Sequence, residues 1–210
     1  MEQKVINLMK QNILNLFCYC IVPSIFVYFI TIGLSSFYEI NPLLVVRDLA
    51  QTCGYPIGVG MVSNMGILLW ASSAAITLFV SISKFAEKEV SKLLLMGGIF
   101  SAVLCVDDFF LLHDRYLGPD FLNITYLSMT IFMLIKFWKV LLKIGLSPLI
   151  ISLFFLGLSV FFDSIVQQFY SNRYDLIQLY EELFKFLGIA CWLNFWCHAS
   201  LYSIKFRKVS

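Results

Sequence analysis

Long apolar runs alternate with short polar breaks along most of the chain. A helix that crosses a bilayer needs about 20 mostly apolar residues. Six runs reach that length, at roughly 13–34, 58–83, 93–116, 121–143, 147–170 and 176–204. Charges and helix breakers separate them, in "SSFYEINPLLVVRDLAQTCGYP", "SKFAEKEVSK", "HDRYLGPD", "KIGLSP" and "YSNRYDLIQ". The pattern predicts an all-α fold, a polytopic membrane bundle of six transmembrane helices. No Pro/Gly/Ser-rich linker splits residues 1–210, so a single bundle is expected. The first run exceeds a secretory h-region and lacks a small-residue cleavage site, so it is expected to stay as a helix. Pro23 within it is tolerable in a membrane helix. The first three runs share no motif with the last three, which gives an inverted-repeat transporter no support.

Composition agrees with lipid as the surrounding solvent. Hydrophobic residues make up 60% of the 210 and charged residues 13%, about half the charged share of a soluble domain. Mean hydropathy is +0.85. The placement of charge then orients the bundle. With the N-terminus cytoplasmic, the outer side holds Arg47, Arg115, Arg173 and Lys185, and the other 11 of the 15 basic residues lie inside. Of the 13 acids only Glu2, Glu87 and Glu89 fall inside, leaving 10 outside. Both termini are therefore expected in the cytoplasm. Cys18, Cys105, Cys191 and Cys197 sit in apolar runs, where a free thiol packs as a small hydrophobe. The absence of C-x-x-C argues against quinone-coupled disulfide chemistry.

Against this background "CVDDFFLLHD", residues 105–114, stands out. Counting from the inner boundary places Asp107 and Asp108 roughly 8–9 Å below the outer surface, at about 1.5 Å per residue. Asp163 in the fifth run falls at a similar depth, and Glu182 begins the sixth. Helical spacing puts Asp107 and Asp114 on one face, with Asp108 rotated away. Ser159, Asp163 and Gln167 form one polar stripe and Gln178, Glu182 and Lys185 another. An ionised carboxylate in hydrocarbon is costly and turns inward to a partner. Asp107, Asp108, Asp163 and Glu182 are thus the candidate cation- or proton-binding residues, supported by Ser63, Asn64, His113, Gln167 and Lys185. Lys185 lies one turn from Glu181 and Glu182 and is expected to pair locally. The surplus negative charge then calls for protonation or a bound cation. A divalent cation held by Asp107, Asp163 and His113 is one such occupant. A structural hydrogen-bond network is the competing account of the deep acids. His198, the Trp192/Trp196 pair, Gly97–Gly98 and Gly188 read as packing or interfacial residues.

"GMVSNMGILLWASSAAITLF", "DDFFLLHD", "FFDS" and "EELFKFLGIACW" together resemble a family of bacterial multi-pass membrane proteins. That resemblance implies a bacterial plasma (inner) membrane location and groups these polar positions together, and it carries no activity with it. A partial likeness to alkaline ceramidases and adiponectin-receptor-like proteins implies zinc hydrolysis. Those proteins carry an H-x-x-x-H pair in the last span, where this chain has only His198, so a three-His zinc site is not expected. The chain contains no G-x-x-x-x-G-K-[ST], H-E-x-x-H or G-x-S-x-G. Its basic inner loops follow from topology and imply no nucleic-acid partner. Three functions remain open. The first is cation or proton binding and translocation, channel- or transporter-like, by a monomer or a homo-oligomer in the lipid bilayer. The second is intramembrane metal-dependent hydrolysis of a lipid. The third is a membrane-assembling stress or defence effector whose acids are structural. No catalytic residue is singled out.

Overall fold

The computed structural model describes residues 18, 21–41, 44, 52–56, 58–83, 87–166 and 174–206. All regular structure among them is helical: α1 (Val22–Phe37), α2 (Met61–Ile82), α3 (Lys88–Phe110), α4 (Leu112–Arg115), α5 (Pro119–Lys136), α6 (Trp138–Ile144), α7 (Ser147–Phe161) and α8 (Tyr174–Phe206). A π-helical turn, Phe162–Val166, continues α7. Contacts divide the chain into two compact units, Met1–Val59 and Gly60–Ser210.

In the first unit Pro23 stands in the first turn of α1, where its missing N–H breaks no helical bond. The helix ends as the Tyr38 N–H returns to the Leu34 carbonyl, and Glu39 follows at φ +57°.

The second unit is organised by close approach at glycines. A Cβ on Gly98 would lie 2.7 Å from Leu78 Cγ, one on Gly188 2.7 Å from Leu156 Cγ, and one on Gly97 would overlap the Trp196 ring. These positions let α3 meet α2 and α8, and let α7 meet α8, as expected for helix contact in a membrane. The pairings also fix direction. Trp70 packs against Trp192, and Gly66 faces Ile189, so α2 and α8 run parallel. Gly98 beside Thr77 and the Ser91 hydroxyl on the Ser81 carbonyl set α3 antiparallel to α2. Phe155 against Phe184 and Phe162 against Tyr180 set α7 antiparallel to α8.

Burial is distributed as a bilayer demands. Ile82 and Ile135 are 73% and 74% exposed, while Ser73, Thr77, Ser101 and Ser152 are 0% exposed. Water would penalise that exterior, whereas lipid does not. The buried hydroxyls are satisfied by backbone carbonyls, Ser73 by Leu69, Thr77 by Ser73, and Ser152 across helices by Gly188. Two helices, α2 and α3, are each long and apolar enough to cross a membrane. A third candidate is the α6–α7 pair, bent by 110° at its break.

Three local departures from the sequence reading bear on the site. Leu111 adopts a left-handed conformation at φ +52° and ends α3, so Asp114 lies on α4 and shares no continuous helix face with Asp107. The π turn alters the register after Phe161, which interrupts the straight Ser159–Asp163 stripe. Phe137 separates α5 from α6 within the fourth apolar run.

Candidate functional site

Asp108 sits in the last turn of α3, where the helix passes between α2 and α8. Its Oδ1 receives the Lys185 ammonium of α8 at 2.8 Å, and its Oδ2 accepts the Trp70 indole N–H of α2 at 2.9 Å. One carboxylate thus ties three helices together. Its side chain is 13% exposed and that of Lys185 27%. The pair therefore lies between the fully buried case, in which desolvation is severe, and the solvated one, in which it is worth little. Lys185 also reaches across to Asp108 on α3, a contact that spacing within α8 does not foretell.

Beside this pair lies a small cleft lined by Val62, Ser63, Gly66, Asp108, Glu182, Lys185, Phe186 and Ile189. Two carboxylates and one ammonium leave its ionisable lining with an excess of one negative charge. Ser63 reaches it from the first turn of α2, while Asn64, exposed on that turn, is not part of the lining.

Asp107 is directed elsewhere. It is 5% exposed, and its Oδ2 accepts the Tyr126 hydroxyl of α5 at 2.9 Å. The 100° rotation between neighbours on a helix thus sends two adjacent aspartates to different helices. Asp163 lies half-buried on the π turn and outside the cleft lining. Gln167 lies outside the described residues, as does the side chain of His113. Among the described residues no three His, Cys, Asp or Glu side chains are grouped closely enough to hold a metal ion. The divalent-cation reading therefore gains no support.

Trp70 and Tyr126 escaped the sequence reading. The available signal was chemical, since a Trp or Tyr buried in an apolar run still needs a partner for its polar hydrogen. Below Trp70 the same logic continues: Trp192 stacks edge-on against Trp70 and Phe100 and donates its N–H to Ser101 Oγ at 2.8 Å. His198, read from the sequence as a packing or interfacial residue, is exposed on the outside of the bundle, as is Asn194.

Residues 20–199 match the model of a family described as a domain of unknown function, DUF8692, and the chain belongs to that family. No curated protein and no solved structure matches it, so the likeness to ceramidase- and adiponectin-receptor-like hydrolases is without support.

Proposed function

We propose that this chain is a six-span protein of the bacterial plasma membrane, with both termini cytoplasmic, that binds protons or a small monovalent cation in an outward-facing cleft and passes them inward. The observation that carries the reading is the Lys185–Asp108 pair at 2.8 Å beside a second carboxylate, Glu182. Lys185 acts as a resident cation. A proton or cation that neutralises Asp108 frees the ammonium to move one turn back along α8 to Glu182 or Glu181. The contact between α3 and α8 is then released, which couples binding to helix movement.

The cleft has room for about one water molecule, far below the roughly 300–1,000 Å³ of pockets that enclose organic ligands, which disfavours a lipid substrate. Supporting the topology, α2 and α8 run parallel, which requires an odd number of crossings between them. Crossings by α3, α5–α6 and α7 satisfy this. Positive-inside placement then sets the orientation.

The test is flux into proteoliposomes of purified protein, with a pH-sensitive dye or a monovalent-cation indicator inside. Wild type should carry flux, and Asp108→Asn should reduce it by at least about tenfold, the scale of a lost proton-transfer group. A wild-type protein that moves neither protons nor monovalent cations would sink the proposal.

A further inference from the structure

The inner half of the bundle holds polar groups that neither the cleft nor the packing accounts for. Trp196 Nε1, Ser200 Oγ and Ser203 Oγ are buried and find no hydrogen-bond partner among the described residues. The three residues are 0%, 3% and 5% exposed. At i, i+4 and i+7 they share one face of α8, the face whose Trp196 ring packs on Gly97 of α3. Buried polar groups in native proteins nearly always have a partner, from protein or ordered water. Three such groups on one face mark a place where water binds.

They also complete a line. On α2 the cleft residue Ser63 is followed by Trp70, Ser73, Thr77 and Ser81, and on α8 Lys185 is followed by Trp192, Trp196, Ser200 and Ser203. Each series spans 18 residue steps, roughly 27 Å at 1.5 Å per residue, against a hydrocarbon thickness of about 30 Å. The hydroxyls of Ser73, Thr77 and Ser81 bond to carbonyls of their own helix, and each keeps lone pairs able to accept a further bond.

We infer that α2, α3 and α8 enclose a hydrated hydroxyl seam, with Trp196, Ser200 and Ser203 as its water-binding groups, and that this seam is the inward path for protons from the cleft. It rests on the cleft reading and narrows it from cations in general to protons. Trp192 and Trp196 pack edge to face at 5.5 Å within the fully buried core. A metal ion would have to part these rings. A proton needs only a relay in which each oxygen passes one proton to the lone pair of the next.

The test has two arms, both on full-length protein in lipid. In nanodiscs with ¹⁵N-labelled indoles, assigned with Trp192→Phe and Trp196→Phe, the Trp196 indole hydrogen should exchange with D₂O at least about tenfold faster than that of Trp192, because hydrogen-bonded and dry sites are protected. Equal protection of the two overturns the hydrated seam. In proteoliposomes, Trp196→Phe and the milder Ser203→Ala should each lower proton flux severalfold. If Asp108→Asn abolishes flux while both seam variants keep wild-type flux, the path is overturned and the cleft reading stands. If the wild type carries only a metal cation, the proton path falls alone. If it carries nothing, both fall, and the exchange arm still decides whether the seam is wet.

Discussion

Asp108 and Lys185 form an unequal pair, and the inequality is measurable. When Lys185 is removed, Asp108 keeps one N–H, from Trp70, and remains a carboxylate in a largely buried setting. When Asp108 is removed, Lys185 still has Glu181 and Glu182 one turn back on its own helix. Breaking a fully buried pair from one side costs about 3–5 kcal/mol, and partial exposure of both groups lowers that figure. We expect Lys185→Met to destabilise the detergent-solubilised protein by about 2–3 kcal/mol and Asp108→Asn by less. The double variant should recover much of the loss, because it also removes the carboxylate that Lys185→Met leaves without its ammonium. Thermal unfolding of the four proteins gives the coupling. Equal losses for the two single variants would contradict the geometry. Tyr126 bears on Asp107 in the same way, but there the partner is neutral and the carboxylate lies at 5% exposure.

At the level of helices, contact depends on glycines more than on charge. The Gly188 position offers α7 no slack, since an added Cβ would come within 3.0 Å of the Leu156 backbone nitrogen as well as its side chain. Gly157, on α7 itself, has nothing within 4 Å. Overpacking costs about 1–3 kcal/mol, whereas replacing an uncrowded helical glycine with alanine gains about 1 kcal/mol. Gly97→Ala and Gly188→Ala should therefore lower the melting temperature while Gly157→Ala leaves it unchanged or raises it. The sequence reading assigns Gly97–Gly98 and Gly188 to packing, and it does not single out Gly157. Hydrophobic period and breakers predicted helices at the right places because both are local properties. No residue at the left-handed Leu111, the π turn at Phe162 or the break at Phe137 announces these features in the sequence. Trp70 and Asp108 lie 38 positions apart, so periodicity alone could not pair them. For Asp107 and Asp108 it predicted divergent faces, and left their partners to the fold.

For the whole chain, helix direction and charge placement constrain each other more tightly than either does alone. Among the described residues only α2 and α3, with the bent α6–α7 pair, are long and apolar enough to cross a membrane, and α8 carries Glu181, Glu182 and Lys185 within its 33 residues. Yet α8 lies parallel to α2, with Trp70 on Trp192 and Gly66 on Ile189. If α5–α6 turned back without crossing, α7 would reverse and α8 would run antiparallel to α2. Of the α5 residues, Tyr126 binds Asp107, outside the cleft lining. Under the six-span proposal the loop at Gly118 lies outside and the turn at Lys143 inside, which makes them a decisive pair. A phosphatase reporter, active only outside the cytoplasm, should be active when fused after Gly118 and inactive when fused after Lys143 or Lys208. A cytoplasm-dependent fluorescent reporter should give the reverse pattern. Activity after both Gly118 and Lys143 would mean that α5–α6 does not cross, and the parallel packing of α2 and α8 would then have no admissible topology in a bilayer.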